Sequence, residues 1–289
     1  MYVLYWNFGQ FYQKIRKEKG LSQEKVCGKM LSRTTLSKIE NGRSTPSYDL
    51  FSYLLKQIDM SFDEFEFVCN HFQMNERESL MIKFENLLSN SDIQAMKKIK
   101  NECMVFLEKN NDCGLIDLIT VIDSLIIFHR SDSIDNAEAR KLIEKVWQKL
   151  SAIDTWYYHE IRLINSILMY FPIKTVLNFS VKLIDSLKKY EEFTKTTNSF
   201  CLAVYTNLST IFLYHKLYKE CLENNKIILK LSKNAKRYDF YCFALIRIGI
   251  CSKNFKKTQE GIKQLKFFGE TKLIKEAQKE IKMFFGNDF

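Results

Sequence analysis

Serines recur near the N-terminus at the places where short helices would begin, at positions 22, 32, 47 and 61. A serine caps a helix because its hydroxyl accepts a hydrogen bond from a free backbone N–H of the first turn. Gly20 and Asn41-Gly42 stand where two of the preceding segments end, and both tolerate the left-handed conformation that closes helices. This punctuation predicts five short helices within the first seventy residues.

Apolar spacing fixes the inward side of these helices. The first carries Phe8, Tyr12 and Ile15 at helical intervals, whereas the third offers only Leu36 and Ile39. The third helix therefore buries a single edge. Five short helices with a tight turn between the second and the third are typical of a helix-turn-helix domain.

The outward residues of the third helix suit DNA. Arginine bonds guanine O6 and N7 with two hydrogen bonds, and Ser or Thr hydroxyls suit phosphates and base edges. A helix that enters a major groove about 12 Å wide keeps little surface for its own core. The helix and its N-cap supply Ser32, Arg33, Thr34, Ser37 and Lys38.

Charge is concentrated in the same segment. The chain carries 44 basic and 34 acidic residues, a net +10, and positions 1 to 43 hold nine basic residues against three acidic ones. Such a surface favours an anionic partner. Two other interpretations stay open, a merely solvated face and a helix-turn-helix that binds protein.

The segments GQFYQKIRKEKGLSQEKV and LSRTTLSKIENGRSTPSY resemble the repressor-type helix-turn-helix of the Xre class. LSRTTLSKIENG together with the later SFDEF resembles the Rgg/GadR/MutR family of Gram-positive regulators. The class usually has alanine and another helix former at Cys27-Gly28, so this chain departs from it there.

The resemblance to the Xre class implies roles for individual residues. Gln23 would contact the DNA backbone, and Arg16 would pair with Glu40 between the first and third helices. A further set would read bases from the first turns of the third helix or grip phosphate just after it: Arg33, Thr34, Thr35, Ser37 and Lys38 for bases, Asn41 and Arg43 for phosphate.

The rest of the chain predicts helical repeats. Two prolines and nine glycines in 289 residues forbid few helical positions, and polar breaks follow segments of about 15 residues. Placing Trp156 over Asn198 and Asp239 aligns three helix pairs, with a fainter pair beginning near Leu115. We predict an all-α protein, with a five-helix DNA-binding domain over residues 1–70 and a tetratricopeptide-like α-solenoid over residues 71–289.

The same alignment predicts a ligand groove. It places Asn165 over Asn207 on corresponding faces, and an asparagine amide both donates and accepts hydrogen bonds, as a peptide backbone requires. Arg162 and Arg247 suit a peptide carboxylate. Asparagines that merely pack between helices are the alternative.

Members of the family that the chain resembles bind a short secreted and re-imported pheromone peptide in such repeats, and they are homodimers. The implied function is a homodimeric, sequence-specific transcription regulator that binds an operator in double-stranded DNA and is controlled by a signalling peptide. The alternative is a phage- or plasmid-type repressor whose repeats mediate only protein interaction.

Other classes find no support in the sequence. His159-Glu160 begins an H-E-x-x-H pattern, but residue 163 is Leu, and nucleotide-binding loops are absent.

The eight cysteines form no C-x-x-C pair and indicate a reduced, cytoplasmic protein with buried thiols. No apolar run suggests a membrane span. We expect no enzymatic activity, no metal and no cofactor. FKKTQEGIKQLKFF fits a membrane-surface helix less well than the polar end of a solenoid.

Overall fold

A computed structural model describes residues 7–87, 92–131, 136–191, 193 and 195–285. Within these ranges the chain forms sixteen α-helices and one short 3-10 helix, and no β-strand. The helices make two compact units, which divide between Leu115 and Ile116. The all-α prediction is confirmed.

Seven helices make up the first unit, and the serine caps set the start of four of them. Each serine Oγ accepts from the backbone N–H three residues later, at 3.1 to 3.4 Å. The helices are α1 Phe8–Glu18, α2 Gln23–Cys27, α3 Arg33–Glu40, α4 Tyr48–Gln57, α5 Phe62–Cys69, α6 Glu76–Glu85 and α7 Ile93–Leu107.

The second unit is built from successive helix hairpins. Pro172 and Asn254 start second helices of these hairpins, as the predicted breaks indicate. The helices are α8 Cys113–Ser131, whose first turn precedes the boundary, α9 Ala137–Ser151, α10 Tyr158–Ile167, α11 Ile173–Lys188, α12 Lys195–Tyr214, α13 Tyr218–Ala235, α14 Tyr238–Cys251, α15 Phe255–Phe267 and α16 Thr271–Phe285, with the 3-10 helix at Leu168–Tyr170. The alignment therefore identifies the pairs α10/α11, α12/α13 and α14/α15.

The first compact unit extends to Leu115, and the domain boundary at residues 70 and 71 stays a prediction. The helices α6 and α7 pack against each other and belong with the first unit. Asn75 Nδ2 donates to Glu66 Oε1 at 3.4 Å, and Arg77 Nε lies 2.6 Å from Asp112 Oδ2. The sequence cannot show this, because the break after α7 has the same polar composition as the breaks between repeats. The sequence also predicts a polar break at Asn90-Ser91, and these two residues lie outside the described residues.

The core of the first five helices is apolar with one polar anchor. Tyr12, Leu36, Leu54 and Phe65 are fully buried, and Tyr12 Oη donates to the Leu54 carbonyl oxygen at 3.1 Å. The partly buried Phe8 ring packs against the same cluster. This core covers the inner edge of α3 and leaves its other side open.

Close helix packing in the last hairpin depends on two glycines. A Cβ on Gly249 would lie 2.1 Å from Thr258 Oγ1, and one on Gly261 would lie 2.6 Å from Ile246 Cγ1. Because no side chain intervenes at these points, α14 and α15 approach each other closely. Small residues at helix crossings are thus part of the repeat.

The cysteines are all free, and six of them are buried as expected, namely Cys27, Cys69, Cys103, Cys201, Cys221 and Cys242. Two depart from the prediction of buried thiols. Cys113 is exposed at the start of α8, and Cys251 is half-buried at the end of α14.

Candidate functional site

The helix α3 presents a polar face away from the core. Arg33, Thr34, Thr35 and Lys38 are exposed on it. Ser37, which we predict to face outward, is half-buried, because Asn41 packs against it. The helix therefore offers four freely exposed side chains in two turns.

Both ends of α3 are closed by hydrogen bonds. At its start, Ser32 Oγ accepts from the Thr35 N–H at 3.1 Å and lies 2.9 Å from Thr35 Oγ1. These bonds fix the rotamers of both side chains, so their hydroxyls are positioned before any ligand arrives. Part of their bonding capacity is already used within the helix.

The end of α3 is a tight left-handed turn. Gly42 has a φ of +68°, and its N–H donates to the Ile39 carbonyl at 2.9 Å, while the Arg43 N–H donates to the Lys38 carbonyl at 2.8 Å. This is the Schellman pattern. Asn41 Nδ2 donates to the Ser37 carbonyl at 2.7 Å. Asn41 and Arg43 are exposed immediately after the helix, as the prediction requires.

A buried ion pair fixes α3 against α1. Arg16 Nε lies 2.6 Å from Glu40 Oε1, and Arg16 Nη2 lies 3.0 Å from Glu40 Oε2. Arg16 is 5% exposed and Glu40 is 1% exposed. The guanidinium also donates to the Leu21 carbonyl at 2.6 Å, which brings in the loop before α2. The pair predicted from the resemblance is therefore present.

Two glutamines complete the surroundings of Glu40. Gln13 Nε2 and Gln23 Nε2 donate to Glu40 Oε2 at 3.2 and 2.8 Å. Burial alone would raise the pKa of Glu40, but the hydrogen bonds from Arg16, Gln23 and Gln13 outweigh it and hold that pKa below its usual 4.5. The carboxylate stays ionised and binds groups from α1 and α2 at once.

The position of Gln23 qualifies its predicted role. The side chain is half-buried and points to Glu40, with one amide N–H engaged there. An amide carries a second N–H and a carbonyl oxygen, and the bond to Glu40 uses neither of them. A contact from Gln23 to DNA phosphate stays a prediction, and the second N–H is the group that would donate to a phosphate oxygen.

Sequence reasoning missed Gly9, which lets α1 cross the end of α3. A Cβ at this position would lie 1.8 Å from the Ile39 carbonyl oxygen. No other residue fits there without moving one of the two helices. A glycine inside an otherwise regular helix was the available signal, since it often marks a close backbone approach.

The departure at Gly28 has a structural reason. Its φ is +52°, and an added Cβ would lie 2.5 Å from Tyr53 Oη, which donates to the Cys27 carbonyl at 3.1 Å. The class usually has a helix former here, but in this chain α2 ends at Cys27 and the left-handed residue follows. Tyr53 of α4 covers this turn.

In the repeats, the two aligned asparagines meet. Asn207 Nδ2 of α12 donates to Asn165 Oδ1 of α10 at 2.9 Å, and both side chains are half-buried. The hydrogen bond leaves further amide groups on both residues available. The structure thus brings this predicted pair together, one repeat apart.

The two predicted arginines lie in different environments. The Arg162 guanidinium lies 4.3 Å from the centre of the Tyr158 ring. Arg247 is 4% exposed, and its Nη2 and Nε lie 2.6 and 3.0 Å from the carboxylate oxygens of Glu280. Its Nη1 donates to the Thr206 carbonyl at 3.1 Å.

A contact from Arg247 to a peptide carboxylate stays a prediction. Three of the five guanidinium N–H groups donate to acceptors of the chain itself, namely the Glu280 carboxylate and the Thr206 carbonyl. The sequence did not indicate this pairing, because Glu280 lies 33 residues away, on a helix beyond the aligned repeats. Arg247 thereby joins α12 and α14 to α16.

The described residues form neither a metal site nor a membrane span. Among the residues that the structure describes, no group of three or more His, Cys, Asp and Glu side chains is placed to hold a metal ion. No helix within these ranges is both long and apolar enough to cross a membrane.

Two family sequence profiles match this chain. Residues 13–65 match the profile described as "Helix-turn-helix". Residues 116–279, more than half of the chain, match "HTH-type transcriptional regulator Rgg, C-terminal domain". The two matched segments correspond to the α3 site and to the repeats.

Solved structures share the fold across the whole chain. A candidate transcriptional regulator from Listeria monocytogenes EGD-e is 20% identical, with a TM-score of 0.76 over 96% of this chain and 97% of that one. A variant of the SHP pheromone receptor Rgg2 from Streptococcus dysgalactiae is 15% identical, with a TM-score of 0.72 over 96% and 98%. ComR from S. thermophilus, solved with DNA and its signalling peptide ComS, is 14% identical, with a TM-score of 0.61 over 94% and 97%.

The Glu40 environment predicts a pH-dependent stability. Because the pKa of Glu40 is lowered on folding, its contribution is complete above about pH 4.5 and is lost as the pH falls through the folded value. Glu40→Gln should destabilise the first unit by about 3 kcal/mol or more at pH 7, because it leaves Arg16 buried without a counter-charge. It should also flatten the acid dependence of stability.

Hydrogen exchange of the α1 and α3 peptides, measured on the full chain from about pH 2.5 to pH 7, tests this prediction. Glu18→Gln is the control, because Glu18 is exposed and forms a surface ion pair, at 3.9 Å, with Lys14 of the same helix. Equal protection of α3 in the wild type and in Glu40→Gln would contradict the role given to this carboxylate.

Proposed function

Because the chain belongs to the Rgg family of helix-turn-helix transcriptional regulators, we propose that α3 reads an operator and that a short signalling peptide bound by the repeats controls this binding. The observation that carries the proposal is the α3 face. It is exposed, basic and closed at both ends, and a buried ion pair fixes its orientation.

DNA recognition divides among the exposed residues. Arg33 and Thr34 lie in the first turn of α3 and would meet base edges, where arginine reads guanine with two hydrogen bonds. Asn41 and Arg43 follow the helix and would meet phosphates, which fix the position of the protein on the duplex. A further set is proposed to support these contacts, namely Thr35, Ser37, Lys38, Ser32 and Gln23.

The peptide site is proposed around Asn165 and Asn207. The hydrogen bond between the two amides fixes their orientation, and the groups left over can pair with the N–H and C=O of an extended backbone. Arg162 lies one helical turn before Asn165 and is proposed to meet a negative group of the peptide. The relative named Rgg2 is a pheromone receptor, and ComR was solved with a signalling peptide, which favours this function over protein interaction alone.

Further properties follow from the family. We propose that the regulator is a homodimer, because two copies of α3 would match two operator half-sites one helical turn apart. A regulator of this kind works where the chromosome lies, so we place it in the cytoplasm. It is proposed to act by binding alone, without catalysis and without a cofactor.

The division between base and phosphate contacts predicts different losses for two arginines. Arg33→Ala should weaken binding to the operator by about tenfold or more while leaving binding to unrelated DNA nearly unchanged. Arg43→Ala should weaken both by similar factors and should lower the salt dependence of binding by about one phosphate contact.

Mobility-shift titrations on the protein's own upstream DNA and on a scrambled duplex measure both effects. Lys56→Ala is a control, since it removes one exposed positive charge from α4. If Arg33→Ala bound the operator as tightly as the wild type, Arg33 would not be a base-reading residue.

The proposed peptide site predicts that the two asparagines matter together. The Asn165→Ala/Asn207→Ala double variant should lose at least about tenfold in peptide affinity, because each removed amide contributes on the order of 1 kcal/mol or more through its hydrogen bonds. Operator affinity without peptide should stay unchanged.

Isothermal titration calorimetry with candidate peptides from the neighbouring reading frame provides the measurement. Asn234→Ala, at an exposed position of α13, is the matched control. Undiminished peptide affinity in the double variant would remove this site from the proposal.

A further inference from the structure

A cavity of about 270 Å³ lies between α12, α14 and α16. The helices α12 and α14 are the first helices of two successive hairpins. The cavity begins at Thr206, the residue next to Asn207. Two phenylalanines of α14, Phe240 and Phe243, and Leu273 of α16 give it an apolar lining. A space of this kind accepts one large apolar side chain, and α12 contributes both to it and to the site proposed for the peptide backbone.

The charged residues around this cavity differ in how they are used. Arg247 is paired with Glu280 and donates to the Thr206 carbonyl. Asp239 is engaged with Arg237, whose Nη2 and Nε lie 2.6 and 3.0 Å from its carboxylate oxygens. Each of these ion pairs is neutral as a whole, so neither leaves an open charge in the cavity.

Glu276 is the exception. It lines the cavity and is exposed, and no ion pair joins it to any of the residues that the structure describes. Lys272 and Lys279 lie one helical turn before and after it on α16, yet neither is in ion-pair contact with it there. Neither lysine lines the cavity, so the unpaired charge that the described residues leave in the cavity lining is negative.

We propose that this cavity is a specificity pocket for a peptide that carries an apolar side chain next to a cationic group. The apolar side chain would occupy the space between Phe240, Phe243 and Leu273, and the cation would pair with Glu276. A lysine or arginine side chain and a free N-terminal ammonium share this chemistry. The inference rests on the proposed peptide-binding function and specifies which peptides the site accepts.

The carboxylate of Glu276, unpaired among the described residues, supports a cation here. The rings of Phe240 and Phe243 already contact arginines. The guanidinium carbons of Arg237 and Arg247 lie 4.5 and 5.8 Å from the two ring centres, respectively. The cation is therefore assigned to Glu276 and not to a ring face. A peptide carboxylate at the same place would meet the unpaired Glu276 as a like charge. An exposed ion pair contributes modestly, so the expected preference is severalfold in affinity.

The test uses the full chain and a defined set of synthetic peptides. The scaffold is an apolar heptapeptide of Leu, Ile and Phe in which each position in turn carries Lys, Gln or Glu. Every peptide is made with a free and with an acetylated N-terminus. Affinities are measured by fluorescence anisotropy on the wild type, on Glu276→Lys and on Glu260→Lys, which makes the same charge change on α15.

At one or two neighbouring positions, the Lys peptide should bind the wild type about threefold to fivefold more tightly than the Gln peptide, and the Glu peptide should bind more weakly than both. Glu276→Lys should reverse this order, and Glu260→Lys should keep it. If acetylation abolishes the cation preference instead, the N-terminal ammonium is the group that Glu276 binds.

Two results would overturn the inference. Binding without a charge preference, or a preference that Glu276→Lys leaves intact, would refute the role of Glu276 while leaving the peptide-binding function standing. If none of the peptides bound, while the peptide of the neighbouring reading frame did, the cationic specificity would be refuted. Failure of every peptide, including that one, would overturn the proposed function as well.

Discussion

The buried carboxylate of Glu40 is the interaction on which the proposed DNA-reading site depends. A charge with 1% exposure is tolerated only when it is paired and hydrogen-bonded. Here the partners are Arg16 and Gln13 from α1 and Gln23 from α2, so one carboxylate at the end of α3 fixes three helices relative to each other. A helix held in this way would bind DNA without the cost of ordering its backbone at binding.

In the repeats, polar bonds likewise join one hairpin to the next. Asn165 and Asn207 join α10 to α12, and Arg247 joins α12 and α14 to Glu280 of α16. The asparagine bond lies between first helices of successive hairpins, and Arg247 and Glu280 line the cavity beside Glu276. A ligand that lies along α10, α12 and α14 would contact polar groups that hydrogen bonds between neighbouring repeats already hold in position.

Sequence reasoning predicts interactions between residues that are close along the chain better than those between distant residues. The caps at Ser22, Ser32 and the other serines are bonds over three residues, and the sequence alone predicts them. The Arg16 to Glu40 pair spans 24 residues, and only the family resemblance indicated it. Nothing in the sequence indicated that Gln13 joins them, because glutamines on a helix surface are common and its partner is 27 residues away.

Longer-range features were missed or misassigned for the same reason. The partner of Arg247 lies on α16, outside the aligned repeats, so the alignment could not indicate that Arg247 forms an ion pair with Glu280. The unit boundary after α7 depends on packing that polar breaks do not reveal. Gly9 and Gly28 are single letters in the sequence, and only the neighbouring carbonyl of Ile39 and hydroxyl of Tyr53 show why glycine stands there.

The central claim is that peptide binding and DNA binding are coupled, and thermodynamic linkage tests it most directly. Operator affinity is measured with and without saturating peptide, and peptide affinity is measured with and without saturating operator, on the same full-length protein. The account predicts that the two affinities change by the same factor, about fivefold or more, because coupling between two sites is reciprocal. A peptide that binds tightly and leaves operator affinity unchanged would contradict the account.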